Sequence, residues 1–346
     1  MEYRLALIGL GVVGQGIVEI LTNERNSLQE SYDIDLKVTA ISDIRKGSVY
    51  DPEGIDLKQI LDLVKEKDCI DDYIGGVKGW DSLKTIRESN ADIVVEATET
   101  DIVTGEPGLT HMLTSIEHGK HVVTTNKGPL SLASTKLLDR AAEVGVHLRF
   151  EGTVLSGTPA LGLATQHLAA AHIIAVHGIV NGTCNYILTE MEKGLTYDAA
   201  LKQAQELGYA EADPSADVEG LDSLAKIIIL ANTLLGGNLN KDQVDCKGIS
   251  EISREDVEAA KENGRRWKLI ATAKVVNDNA IEAHVRPKKL PLDDPLAAVT
   301  GATNALTYET RYLGNITIIG PGAGGLETGY AILHDILDIH KKLREQ

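Results

Sequence analysis

Apolar residues over the first 150 positions follow two alternating rhythms. Short runs rich in β-branched residues, at 4–8, 36–42, 93–96, 121–124 and 147–150, read as strands. Between them apolar positions recur at helical spacing over 13–21, 57–67, 108–118 and 131–144. Apolar strands separated by helices predict βαβ units around a parallel sheet, and right-handed crossovers make that sheet doubly wound. Beyond about residue 155 the pattern changes. Helices are predicted at 157–170, 186–193, 197–207 and 221–235, and strands at 172–179, 268–276, 280–285, 306–310 and 316–319. Thr196 is a candidate N-cap, and Ser253 with Asp256 a candidate capping box. This is an α+β region, with a final helix at 327–342 expected to return to the first domain. The expected division is 1–155, 156–315 and a returning segment 316–346.

Composition narrows the classes. The chain is 346 residues long, 43% hydrophobic and 25% charged, the balance of a globular protein. One Phe in the whole chain means an aliphatic core. A formal net charge of −17 argues against a nucleic-acid or anionic-membrane surface, so any anionic ligand must be held by local groups. Cys69, Cys184 and Cys246 have neither disulfide-framework nor metal spacing, which suits a reducing, cytoplasmic setting. Apolar runs such as 227–231 are far too short to span a bilayer, and residues 1–10 lack the features of a signal peptide.

The first turn carries the sharpest chemistry. Gly9-Leu10-Gly11-Val12-Val13-Gly14 is a GxGxxG after a strand and before a helix. Gly9 permits the tight turn, Gly11 lets the backbone approach a pyrophosphate, and Gly14 lets helix and strand pack closely. The helix N-terminus offers free N–H groups to the phosphates. This is the Rossmann signature of a dinucleotide site. The second strand ends at Asp43, with Arg45 and Lys46 just after it. A carboxylate there favours NAD and a cation favours NADP, so the residues leave that choice open. Thr98 and Lys127 fall at the ends of later strands, where a nicotinamide or substrate would sit.

Further along, Asp222 and Lys226 are spaced i,i+4 on one helix face, leading into the apolar run 227–231. They read equally as a surface ion pair or as functional groups. The stretch 181–185, Asn181-Gly182-Thr183-Cys184-Asn185, is either a capping turn or a set of amides aimed at a substrate.

Taken together these segments resemble a homoserine dehydrogenase. The motifs are GLGVVG at 9–14, EAT at 96–98, TTNKGPL at 124–130, EGTVLSGTP at 151–159, NGTCNYIL at 181–188, GYAEADPSADVEGLDSLAK at 208–226 and GPGAGG at 320–325. The resemblance spans nearly the whole chain. It implies reversible hydride transfer between L-homoserine and L-aspartate 4-semialdehyde with NAD or NADP, at the branch toward threonine, methionine and isoleucine. On the family pattern Lys226 transfers the proton, with Lys127 as a second candidate. Glu211, Asp222 and Asp217, with Asn181, Gly182 and Thr183, would hold the substrate. Thr98, Gly208 and Gly322 would touch the cofactor beside Gly9, Gly11, Val12, Val13, Gly14, Asp43 and Arg45. Glu151, Val154, Ser156 and Thr158 would offer carbonyls to a monovalent cation, usually sodium. A homodimer through the second-domain sheet is also implied. The chain departs from the family pattern in showing no kinase or regulatory module, and is expected to be monofunctional. Two alternatives stay open: another semialdehyde or amino-acid dehydrogenase, of which a phosphorylating semialdehyde dehydrogenase would need a cysteine nucleophile and finds only Cys184 well placed, or an NAD(P)-sensing module without catalysis. If Lys226 is the base, homoserine oxidation is expected to favour alkaline pH.

Overall fold

A computed structural model of the chain describes residues 1–277 and 280–345. Asp278, Asn279 and Gln346, which fall within the expected second domain and returning segment, lie outside the described residues. The chain forms two compact units, one of residues 1–157 with 324 onward, the other of residues 158–323.

The first unit runs β1 (Glu2–Ile8), α1 (Val12–Tyr32), β2 (Asp35–Asp43), β3 (Gly47–Tyr50), α2 (Leu57–Lys67), β4 (Val77–Lys78), α3 (Ser82–Glu88), β5 (Ile93–Glu96), α4 (Gly108–Glu117), β6 (His121–Thr124), α5 (Lys127–Val144), β7 (Leu148–Arg149) and α6 (Gly152–Leu155). Its sheet has the order β4-β3-β2-β1-β5-β6-β7. Strands β2, β1, β5, β6 and β7 pair in parallel, while β3 and β4 add an antiparallel edge that the sequence pattern did not signal. Those two strands are four and two residues long, too short for a visible period. β2 lies on one side of β1 and β5 on the other, so the order reverses between β1 and β5. Their carboxyl ends therefore open a crevice, which is where Gly9 and Glu96 stand.

Leu5, Leu7, Ile17, Ile41, Ile93 and Val95 are buried in one aliphatic cluster with Ile332, Ile336 and Ile339 of the helix Gly325–Glu345. Each such side chain stabilises the fold by about 1.5–3 kcal/mol. That helix crosses α1 where both lack side chains. A Cβ on Gly329 would lie 2.7 Å from the Ile17 nitrogen, and one on Gly16 would overlap the Gly325 carbonyl. The polar stretch after residue 22 continues α1 instead of ending it. Asp33, at φ 55, closes the helix with its N–H on the Gln29 carbonyl.

The helix expected over 157–170 is not formed as one element. Ser156 adopts φ 53 and Pro159 follows, and neither fits a helix interior. The segment instead forms α7 (Ala160–Gly162), a wide π-type turn at Leu163–His167 and a tight one at Ala169–Ala171.

The second unit continues with β8 (Ile173–Ile179), α8 (Gly182–Glu192), α9 (Tyr197–Glu206), α10 (Ser215–Val218), α11 (Leu221–Leu234), β9 (Asp245–Cys246), α12 (Arg254–Glu262), β10 (Arg265–Val275), β11 (Ile281–Pro291), β12 (Thr303–Thr310) and β13 (Gly314–Pro321). Thr196 caps α9, and the Ser253–Asp256 box caps α12. The sheet order is β13-β12-β8-β10-β11-β9, antiparallel except for β9 beside β11. Helices α8, α11 and α12 pack on it. Residues 223–231 of α11 are all buried, as the unbroken apolar run requires.

Candidate functional site

The first unit carries the features of a phosphate cradle. Gly9 has φ 102, and a Cβ there would come within 2.5 Å of the Ala97 carbonyl, so only glycine fits. A Cβ on Gly14 would overlap the Gly9 carbonyl, so the helix packs on the turn only without one. Gly11 differs, because a Cβ there meets nothing within 4 Å. The space above Gly11 is open, and α1 begins there with no side-chain cap on its first N–H groups. Val12 is exposed and Val13 half-buried on that first turn. An open glycine beside uncapped N–H groups fits a dinucleotide pyrophosphate.

Asp43 braces this turn from the end of β2. One carboxylate oxygen accepts the Leu10 N–H at 2.7 Å, and the other accepts the Arg45 and Lys46 N–H groups at 2.8 and 2.9 Å. Partial burial raises its pKa, but these backbone donors outweigh it and the net shift is downward. The cations that follow it are both engaged. Arg45 lies 3.5 Å from Glu99, and Lys46 pairs with Asp68.

At the ends of β5 and β6 a polar knot surrounds Glu96, which has no exposed surface. Its carboxylate accepts the Thr98 N–H at 3.2 Å, the Thr98 hydroxyl, and the Thr124 hydroxyl at 3.1 Å. Asn126 caps α5 by accepting the Gly128 N–H and donates its amide to the Glu99 carbonyl at 3.2 Å. Thr98 is thus fixed by a buried acid. Lys127 is the first residue of α5, partly exposed. Glu96 and Asn126 were not singled out from the sequence, although both stand inside quoted motifs. A buried acceptor and a helix cap leave no periodic signal.

In the second unit, three elements converge on one amide. Asn181 caps α8, with its side-chain oxygen accepting the Cys184 N–H at 2.8 Å. Its amide nitrogen donates to Asp217 at 2.6 Å and to Asp222 at 3.0 Å. Asp222 in turn lies 2.8 Å from the Lys226 ammonium, which also donates to the Val180 carbonyl at 2.7 Å. Lys226 is 7% exposed, so the pair is not a solvated surface bridge. Burial raises the Asp217 carboxyl, the Asp222 charge raises it further, and the Asn181 bond opposes both. Stretch 181–185 is therefore both a cap and a clasp for two carboxylates.

The rest of the long motif closes around this cluster. The Thr183 hydroxyl donates to the Tyr209 carbonyl at 2.7 Å, and Gly182 packs so close to Ala302 that a Cβ would lie 2.5 Å from its carbonyl. Gly208 ends α9 at φ 76 on the surface, and Glu211 is exposed just beyond it. Gly322 presses on the side chain of Asn304. Cys184 is fully buried, its thiol donates to the Asp217 carbonyl, and desolvation drives its pKa well up. That environment removes it as a nucleophile and with it the phosphorylating alternative.

Of the expected cation ligands, Glu151, Val154 and Ser156 are buried in the first unit, and Thr158 is buried at the start of the second. The Glu151 carbonyl accepts the Val154 N–H at 3.5 Å, and the Thr158 carbonyl accepts the Ala160 N–H at 2.8 Å. Among the described residues, no group of three or more His, Cys, Asp or Glu side chains could hold a metal, and no helix is long and apolar enough to cross a membrane.

Comparison with known proteins identifies the family. The family model described as "Homoserine dehydrogenase, NAD binding domain" matches residues 9–151, and that described as "Homoserine dehydrogenase" matches 159–337. An NAD(+)-dependent homoserine dehydrogenase of Pseudomonas canavaninivorans is 43% identical, with 98% of this chain and 97% of that one covered. A homoserine dehydrogenase of Methanocaldococcus jannaschii is 40% identical over 99% of both chains. A putative homoserine dehydrogenase structure from Archaeoglobus fulgidus superposes with a TM-score of 0.87 at 37% identity, covering 97% of this chain and 99% of that one. A hyperthermophilic archaeal homoserine dehydrogenase in complex with NADPH gives a TM-score of 0.86 at 26% identity, covering 99% and 98%. With the two family models matching 9–151 and 159–337 and relatives matching end to end, the chain belongs to the homoserine dehydrogenase family.

Proposed function

We propose that this NAD(P)-dependent oxidoreductase moves the proton of its reaction through Lys226 and binds its amino-acid substrate around Asn181, Asp217 and Asp222. The observation that carries this is the geometry of the Lys226 ammonium. It has three N–H donors, and Asp222 and the Val180 carbonyl take two of them. The third can point to a substrate oxygen.

A dinucleotide held at Gly9, Gly11 and Gly14 would supply the hydride to the aldehyde carbon, or accept it from the alcohol. As negative charge grows on the aldehyde oxygen, Lys226 stabilises it and delivers a proton; in oxidation the neutral amine takes that proton back. Asp222 holds the ammonium in place, and Asn181 holds Asp222. Asp217 and the exposed Glu211 offer acidic groups to the substrate ammonium, while the first N–H groups of α8 at Gly182 and Thr183 offer donors to its carboxylate. Lys127 puts a cation on the first turn of α5, at the end of β6. It is the second proton-transfer candidate. Gly208 and Gly322 complete the cofactor contacts in this reading, and a monovalent cation at Glu151, Val154, Ser156 and Thr158 takes no part in the proton path.

NAD is the favoured cofactor. Backbone donors hold Asp43 ionised where a ribose 2′-oxygen would lie, and Arg45 and Lys46 each have a carboxylate partner already. A 2′-phosphate would meet negative charge there. A homodimer through the second sheet is part of the same reading. A row of His177, Thr272, His284, Thr307 and Thr317 crosses five strands, and all but Thr307 are partly exposed. Cytoplasmic residence follows from an amino-acid substrate and three unpaired cysteines.

The test is to incubate the protein with L-homoserine and either NAD or NADP and identify the product by NMR. Aspartate 4-semialdehyde formed faster with NAD supports the reading. Cofactor binding with no product would leave the sensing alternative in its place.

A further inference from the structure

Asn304, near the start of β12, has no exposed surface, and neither end of its side-chain amide has a hydrogen-bond partner among the described residues. A buried amide left unsatisfied at both ends is rare, because each unmade bond costs the full desolvation of that group. The sequence carried no sign of it.

Its surroundings are specific. A Cβ on Gly322 would overlap the Asn304 amide nitrogen, and one on Gly182 would lie 3.2 Å from its amide oxygen. The amide is wedged between the turn that opens α8 and the turn that follows β13. Both turns are glycine at the point of contact, so both leave room for it. Asn304 is therefore aimed at the segment that presents Asn181, Gly182 and Thr183.

We infer that Asn304 is a further substrate-binding residue, recognising the head group of an α-amino acid. An amide pairs one donor with one acceptor, whichever way it is turned. An α-amino acid carries the complement on a single carbon, an ammonium that donates and a carboxylate that accepts. Because the amide has no exposed surface, binding requires the Gly182 and Gly322 turns to part; it then satisfies both orphaned atoms together, and their cost in the free protein becomes selectivity for a zwitterion over a simple alcohol or aldehyde. This inference rests on the homoserine dehydrogenase reading above.

The experiment compares wild type with Asn304→Ala and the near-isosteric Asn304→Leu. It reads kcat, the KM for L-homoserine, the Kd for NAD, and the melting temperature with and without L-homoserine. Removing an unpaired polar group should leave the melting temperature of the free protein unchanged or higher. The homoserine KM should rise about tenfold or more, in line with the rejection seen when a polar partner is missing. The NAD Kd should not move, and the melting shift produced by homoserine should shrink. A lower melting temperature with an unchanged homoserine KM in whichever variant folds overturns the inference and leaves a bracing role. Wild type that binds NAD but neither oxidises nor binds homoserine sinks the underlying reading as well.

Discussion

Lys226 and Asp222 stand one helical turn apart in α11, ammonium and carboxylate 2.8 Å from each other, in the first half of a helix whose residues 223–231 are all buried. An i,i+4 pair on a helix surface stabilises by only about 0.3–0.5 kcal/mol. Here the carboxylate is also held by Asn181 and the ammonium by the Val180 carbonyl. Removing either member would strand a buried charge at a cost of about 3–5 kcal/mol. Asp222→Ala should therefore lower both stability and turnover, checked by urea unfolding and initial rates. An unaltered unfolding midpoint would show the pair to be solvent-screened.

Asn181 ties three elements together through one amide. Asn181→Asp keeps the acceptor that caps α8 but places a third negative group against Asp217 and Asp222. Helix content should be retained while the KM for homoserine rises. Asn181→Ala also loses the cap, worth about 1 kcal/mol. Circular dichroism together with steady-state kinetics separates the two effects, and wild-type kinetics in Asn181→Asp beside a raised KM in Asn181→Ala would mean that only the cap matters.

The three glycines of the first turn should respond differently. Gly11 faces open space, so Gly11→Ala should fold with an unchanged melting temperature and yet bind NAD much more weakly. A Cβ on Gly14 meets the Gly9 carbonyl, so Gly14→Ala should lower the melting temperature itself. Calorimetry of NAD binding and thermal unfolding read both outcomes. Tight NAD binding by Gly11→Ala would rule out pyrophosphate above that residue.

Cofactor choice gives a third contrast. Asp43→Asn keeps one acceptor for the backbone N–H groups but removes the charge that opposes a 2′-phosphate. The ratio of kcat/KM for NAD over NADP should fall about tenfold, equivalent to ~1.4 kcal/mol. A rise in that ratio would assign discrimination to Arg45 instead.

Stability should fall as pH rises through the titration of Asp335. Burial raises its carboxyl well above the ordinary range, the neighbouring Glu151 charge adds to this, and the Glu151 N–H bond opposes it. A carboxyl whose folded pKa exceeds its unfolded value favours the fold below the unfolded value, about 3.9, and that contribution is lost as pH rises through the folded value. Asp335→Asn keeps an acceptor without the charge. Its advantage over wild type in urea unfolding should grow from about pH 4 to neutrality. A constant difference across that range would contradict the shift.

Much of this was legible in the sequence, and for identifiable reasons. α2, β5 and β6 lie where the apolar pattern put them, because a buried face imposes its period on the residues. The glycine turn was readable because each glycine answers a steric demand. The pattern was silent where packing, not periodicity, decides. β3 and β4 are edge strands too short to alternate, and the polar second half of α1 stays helical on an exposed face. Pro159 stands inside an expected helix and delays its start to Ala160, where the pattern alone would have begun it at 157. In the site, Lys226 and Asp222 were visible as a spacing, but their burial and the Asn181 clasp were not. Long-range bonds of 41 and 46 positions have no local signature. Asn304 shows the same limit, since its isolation is a property of its surroundings alone.

The most direct measurement is the initial rate of NAD reduction by L-homoserine in wild type and Lys226→Ala, with NAD and homoserine affinities measured alongside. The account predicts rapid wild-type turnover and a fall in kcat of about 10²–10⁴ in the variant, the usual contribution of a positioned proton-transfer group, with NAD binding intact. Near-normal turnover in Lys226→Ala would contradict it and move proton transfer to Lys127.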